Sequence, residues 1–140
     1  KGLLYVSRAV LPLMIKRNDG IVVNISSIAG RQIYPAGNVY CASKHAARAI
    51  SESMQLDLNG TGVRVCNIDP GLVETEFSLV RFRGDAERAE KVYEGYTPLH
   101  GNDVAEAMLF CITRPKHVSI HDMLIMPTDQ ASTMLVNKKL

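Results

Sequence analysis

Several features that would each mark a class of protein are scarce or missing in this sequence. There are only three cysteines, Cys41, Cys66 and Cys111, far apart and in no C-x-x-C or zinc-like spacing, so neither a disulfide framework nor a metal site is expected. The four histidines, His45, His100, His117 and His121, show no metal-ligand spacing and read as surface or packing residues. No run of like charge is longer than the closing Lys138-Lys139, and the formal net charge of +2 comes from basic and acidic residues scattered along the chain. That pattern argues against a nucleic acid or a membrane surface as partner. No apolar run approaches the length that crosses a bilayer, and no charged-then-apolar leader with a cleavage site opens the chain. A reduced, cytoplasmic setting is the expectation.

What is present is the composition of an ordinary folded domain: 140 residues, 46% hydrophobic and 21% charged. The first residue, Lys1, already lies in what reads as the opening of a helix, so the chain is expected to begin mid-protein. From Lys1 to about Lys16 apolar residues point in nearly every direction around that helix, which predicts burial on more than one side, against a sheet and against a neighbouring helix or subunit. Pro12 is expected to bend or break it, and Asn18-Asp19-Gly20 to end it. Gly20 to Ser27 is continuously apolar until its end, as in a strand covered on both faces. A helix over about Val39–Leu58 follows, with Asn38 as candidate N-cap, Asn59-Gly60 as its stop, and Ala42, Ala46, Ala49 and Ser53 as a stripe of small residues.

Val63–Ile68 reads as a second strand, ended by Asp69-Pro70-Gly71. Leu72 to about Arg83 reads as a long polar segment, followed by a short charged helix near Asp85–Tyr93. A further amphipathic helix over Asn102–Thr113 is stopped by Pro115, Val118–Met126 is a last strand, and the tail to Leu140 has no clear period. Strands alternating with helices in this order predict an α/β fold with three parallel strands and flanking helices. The chain thus reads as one partial domain over 1–140, half of a doubly wound parallel sheet.

In such sheets the ligand lies beyond the carboxyl ends of the strands. Ser27 ends the first strand, Pro70-Gly71 ends the second, and Tyr40 opens the helix after the first, so all converge on one rim. Tyr40 and Lys44 are four residues apart and share a helix face. A phenol with an ordinary pKa of about 10 is a poor base near neutrality unless a cation favours its anion, and Lys44 offers one. With Ser27 donating a hydrogen bond to a substrate oxygen, Tyr40 can give or take the proton there while hydride moves at carbon, which is alcohol and carbonyl redox chemistry. Taken singly, Ser27 is an ordinary strand-end serine, and Tyr40 with Lys44 an ordinary helix pair. Cys41 reads as a small packing residue more readily than as a reactive thiol.

Asn24-Ile25-Ser26-Ser27 running into Ile28-Ala29-Gly30, the serine thirteen residues before the tyrosine, Tyr40 to Lys44 as Y-x-x-x-K, and Pro70 to Thr75 as P-G-x-x-x-T stand in order. Together they resemble the classical short-chain dehydrogenases and reductases, along the C-terminal part of that family's domain. The resemblance implies a Rossmann fold whose N-terminal cofactor-binding half is absent, so that these residues alone are expected to be inactive. It makes Ser27, not Ser26, the substrate-orienting serine, Tyr40 the acid/base, and Lys44 the residue that lowers the tyrosine pKa and holds the nicotinamide ribose. Pro70, Gly71, Val73 and Thr75 become the nicotinamide-lining segment, with the carboxamide near the Val73 backbone and the Thr75 hydroxyl. The family's glycine-rich loop, ribose selector, N-N-A-G strand end and catalytic asparagine have no counterpart in the chain.

Glu76–Asp85 and His117–Thr128 resemble more narrowly the NADP-dependent 3-hydroxy acid dehydrogenases, which act on serine, allo-threonine and related acids. That likeness implies NADP as cofactor, with NAD still open, and a short hydroxy acid as substrate. Within a substrate loop over about 72–100, Arg81 or Arg83 is a candidate for a two-pronged bond to the substrate carboxylate; the alternative is a solvated loop arginine paired with Asp85 or Glu87. The family more often starts a helix with Thr-Pro where this chain has His100-Gly101, which touches only the cap. The resemblance also implies a homodimer or homotetramer through the helices at about 1–17 and 39–58. The competing function is a noncatalytic dimerisation or scaffold fragment; epimerase or dehydratase chemistry fits the P-G-x-x-x-T segment less well.

Overall fold

A computed structural model describes residues 1–139. In order, the elements are α1 (Gly2–Arg17), β1 (Gly20–Ile25), a 3-10 turn (Ile28–Gly30), α2 (Asn38–Asp57), β2 (Val63–Pro70), α3 (Phe77–Arg81), α4 (Ala86–Tyr93), α5 (Gly101–Ile112) and β3 (Asp122–Ile125). The three strands form one sheet in the order β1-β2-β3. Both pairings are parallel, with Ile25 beside Ile68 and Ile68 beside Met123. The α/β architecture expected from the alternation of elements is therefore the one observed.

β2 is the buried centre, and its period-2 alternation divides the core into two layers. Val63 and Val65 face α2, packing on Met54 and Leu58, with Leu3, Leu11 and Met14 of α1 half-buried beside them. Cys66 and Ile68 face the other way, against Cys111, Ala107 and Met108 of α5. The Cys66 and Cys111 sulfurs lie 3.4 Å apart as free thiols. Burial, seconded by the Cys111 thiol, pushes Cys66 up to about 12, so it stays protonated near neutrality.

Several local expectations are corrected. Pro12 does not break α1, which is continuous across it. Arg8, whose carbonyl loses its partner to the proline ring, is exposed, so water can take the place of the missing bond. β1 is not fully buried: Gly20 to Asn24 are half-buried and Ile25 is 41% exposed, because with β2 on one side only its side chains lack neighbours along the other side. Gly37, not Asn38, caps α2, and a Cβ at Gly37 would strike the Tyr34 ring at 2.5 Å.

The segment expected to be irregular contains α3, whose start is pinned by the Phe77 N–H donating to Thr75 Oγ1 at 3.2 Å. β3 is shorter than the apolar pattern predicts. At its expected first residue the Arg64 guanidinium donates to the Val118 carbonyl, as it does to those of Arg114 and Pro115 just before, putting a side-chain bond where a ladder bond was expected. α1 buries no residue fully: Leu3, Leu11 and Met14 turn inward while Leu4, Tyr5, Val6 and Leu13 stay exposed. Among the described residues no helix is long and apolar enough to cross a membrane, and no group of side chains has metal-binding geometry.

Candidate active site

The site forms where β1 and β2 end. The Ser26 N–H donates to the Ile68 carbonyl at 2.8 Å, carrying the ladder one step past β1. Its hydroxyl donates to the Lys44 carbonyl at 2.9 Å, tying the strand end to α2. Gly30 allows this closeness, since a Cβ there would meet Ser26 Oγ at 2.7 Å and the Lys44 carbonyl oxygen at 2.9 Å. Ser27 is buried and extended; its Oγ accepts from the Ala29 N–H at 3.1 Å and is 3.5 Å from the Pro70 carbonyl oxygen. Ser26 thus spends its hydroxyl hydrogen on the fold, while the bond open to Ser27 is long and exchangeable for a ligand.

Ser27, Tyr40, Pro70, Gly71, Val73, Thr75 and Arg81 all border one cavity of about 340 Å³. Lys44 stands behind Tyr40: its Nζ is 5.7 Å from the ring centroid and donates to the Ile25 carbonyl at 3.2 Å. Arg83 does not border the cavity; it sits exposed at the end of α3 with φ 57°. The alternative ion pairs for these arginines are absent among the described residues. Asp85 instead caps α4, accepting from the Arg88 N–H at 3.0 Å, and Glu87 pairs with Lys91 at 2.6 Å. Arg81 donates to the Tyr34 hydroxyl at 3.0 Å, and its guanidinium lies 5.4 Å from the Tyr34 ring and 5.9 Å from the Tyr40 ring.

Burial governs the protonation of the pair. It raises the Tyr40 phenol above its ordinary value, with the neighbouring Ser27 hydroxyl and the Arg81 charge pulling the other way. It lowers the Lys44 ammonium, against the opposing pull of the Asp69 carboxylate. The lowering of the tyrosine expected from Lys44 is therefore not the net result in this arrangement. The Arg81 charge opposes that rise from 5.9 Å off the ring, and the Lys44 ammonium lies as near, at 5.7 Å.

Other residues that shape the cavity were not visible as motifs. The Tyr93 hydroxyl donates to the Val73 carbonyl at 3.0 Å and meets Ser78 Oγ at 2.8 Å, clamping the turn from α4 and α3. Gln130 Oε1 accepts from the Leu72 N–H at 2.8 Å, and a Cβ at Gly71 would meet that same oxygen at 2.4 Å. At the strand end, Asp69 is wholly buried and binds Arg31 at 2.6 Å. Nothing periodic joins these positions, so only the Asp-Pro-Gly stop hinted that the end of β2 was special.

Fold and site together define a parallel α/β protein with a serine, a tyrosine and a lysine gathered at the strand ends, suited to proton transfer at an alcohol or carbonyl oxygen. The family described as short chain dehydrogenase matches residues 1–84, and the chain belongs to it. It is 50% identical over 131 residues to an uncharacterized oxidoreductase of Mycobacterium tuberculosis, covering 94% of this chain and 52% of the relative. It is 42% identical over 138 residues to the NADP-dependent 3-hydroxy acid dehydrogenase of Schizosaccharomyces pombe, covering 99% and 53%. Among solved structures, the closed form of serine dehydrogenase complexed with NADP+ superposes with a TM-score of 0.92 at 46% identity, covering 99% of this chain and 56% of that one. The chain spans about half the length of the curated relatives it matches.

Proposed function

We propose that this chain carries the proton-transfer part of an NADP-dependent oxidoreductase acting on short hydroxy acids. The observation that carries the reading is the single cavity that gathers Ser27, Tyr40, the Pro70–Thr75 turn and Arg81. Tyr40 gives or takes the proton on the substrate oxygen, Ser27 orients that oxygen through its hydroxyl, and Lys44 supports the phenol from the next helical turn. NADP is favoured because two of the similar proteins are named for it or hold it.

The residues present fit a nicotinamide. The bridge between Val73 and Leu99 uses the Glu74 N–H and the Leu72 carbonyl, so the Val73 N–H faces away from Leu99. That N–H and the Thr75 hydroxyl suit a carboxamide, and Pro70 and Gly71 offer the flat turn beside it. When bound, the nicotinamide supplies or accepts the hydride. Of the two candidate arginines, Arg81 is the one at the cavity, and its fork matches a carboxylate.

In the intact protein, Tyr40→Phe is expected to lower the NADP-dependent oxidation of serine and 3-hydroxy acids by about 10²–10⁴-fold, the share general acid–base catalysis contributes. Unchanged turnover in that variant would defeat the proposal. A cytoplasmic setting belongs to the same reading, Cys66 and Cys111 being packed as free thiols in contact.

A second reading, a noncatalytic dimerisation fragment, draws on a different observation. Tyr5, Val6 and Leu13 of α1, with Val39 and Leu56 of α2, are 63–79% exposed. Such an apolar surface suits a second copy of the chain, as a homodimer or homotetramer through α1 and α2. Isolated residues 1–140 that form a stable dimer yet leave NADPH fluorescence unchanged would favour this reading over catalysis.

A further inference from the structure

We infer that Arg31, acting through the buried carboxylate of Asp69, is a positioning residue that clips the loop carrying Ser27 onto the end of β2. The inference rests on the proposed role of Ser27. Asp69 is 0% exposed. A carboxylate taken so far out of water needs a cation and donors around it. It receives Arg31 Nε on Oδ2 at 2.6 Å, and on Oδ1 the Ser27 N–H at 3.2 Å and Asn67 Nδ2 at 2.9 Å.

Ser27 and Arg31 are the two ends of one short loop around the 3-10 turn, so a single carboxylate grips that loop at both ends. The grip sets the extended backbone of Ser27, which in turn places its hydroxyl between the Ala29 N–H and the Pro70 carbonyl. Arg31 has a second arm. Its Nη2 pairs with Asp122 on β3, which also accepts from Asn67 Nδ2 at 3.1 Å. The cluster therefore ties the carboxyl ends of β1 and β2 to the start of β3.

Across from it on α2 stand the cations Lys44 and Arg48, which feel Asp69 and Asp122 respectively. An ion cluster built around a buried carboxylate is a poor source of net stability compared with apolar packing, and fixed geometry is what it offers instead. The geometry fixed here is that of the serine facing Tyr40.

The test compares Arg31→Gln, Arg31→Lys and Asp122→Asn in the intact protein, by amide hydrogen exchange at Ser26 and Ser27 and by steady-state kinetics with NADP and a hydroxy acid. In Arg31→Gln, exchange at the Ser27 N–H is expected to rise by about tenfold or more, while the Ser26 N–H, held by the Ile68 carbonyl, changes by less than about threefold. In the same variant kcat is expected to fall by up to about 100-fold, the cost of a misplaced reacting group, with the KM for NADP nearly unchanged. Arg31→Lys keeps the charge without the fork and is expected to fall between wild type and Arg31→Gln in both readouts.

Asp122→Asn removes the charge of the second arm while keeping an oxygen for Asn67, and is expected to lower Tm while sparing Ser27 exchange and kcat. The inference is overturned by wild-type Ser27 exchange in Arg31→Gln, by Ser26 and Ser27 rising together, or by Asp122→Asn reproducing the loss of kcat. If Arg31→Gln does not fold, Arg31→Lys decides: raised exchange at Ser27 alone supports the clip, and wild-type values overturn it. Exchange needs no substrate, so a wild-type protein without hydroxy acid turnover would count against the proposed reaction and leave the clip to be judged by exchange.

Discussion

Replacing Arg81 by methionine tests whether the cavity reads a carboxylate. The guanidinium stands at the cavity among Tyr34, Tyr40 and Phe77, and no carboxylate of the described residues pairs with it. A hydrogen bond to a charged group is worth about 1.5–3 kcal/mol when well made. Because Arg81 is exposed, the lower end applies, and kcat/KM for a short hydroxy acid should fall by about tenfold. At a pH above the acidic limb, the same substitution should leave a neutral alcohol of equal size within about twofold, since that substrate never made the bond.

The assay is the ratio of kcat/KM for the acid to that for the alcohol, which cancels any general loss of folded enzyme. Arg83→Met, outside the cavity, is the control and should leave the ratio unchanged. Arg81 also favours the Tyr40 phenolate, so its loss should raise the phenol further and move the acidic limb of alcohol oxidation to higher pH. Equal losses with both substrates, or a loss in Arg83→Met as large as in Arg81→Met, would refute the reasoning.

The Asp122 carboxyl is held below its ordinary value although burial opposes this, because hydrogen bonds from Asn67 and Arg31 outweigh it. A depressed carboxylate contributes stability above its unfolded pKa and loses it as pH falls through the folded one. Acid unfolding of Asp122→Asn should therefore show a shallower loss of stability below about pH 4 than wild type, measured by urea midpoints across that range. Ile68, wholly buried at the centre of β2 among Cys66, Cys111 and Met123, should cost about 2–5 kcal/mol as alanine and about 0.5–1.5 as valine in urea unfolding. Equal costs for the two would mean that the site collapses around the missing volume.

The strands and long helices were readable because their signals are short-ranged. The short apolar runs of the strands, the turn residues that stop each segment, and the one-turn spacing of Tyr40 and Lys44 all depend on neighbours close in sequence. What was misread shares a cause. Pro12 reads as a breaker until the exposure of Arg8 shows that water can serve its carbonyl, and the beginning of β3 reads as strand until the Arg64 guanidinium takes the Val118 carbonyl. α3 went unread in a polar stretch because its support comes from Thr75 and from the Tyr40 ring, 5.5 Å from Phe77.

The amino-acid sequence by itself determined the parallel α/β order and the family, and it singled out Ser27, Tyr40, Lys44 and the Pro70–Thr75 turn, whose spacings are set by one helix turn and two strand ends. Only the tertiary structure set Arg81 at the cavity and Arg83 outside it, because the end of α3 turns one toward the cavity and leaves the other exposed. It alone brought Arg31 to Asp69 and Asp122, 38 and 91 residues away. Those contacts follow from the register that sets Asn67 beside Asp122, a relation between distant strands that no local period in the chain records.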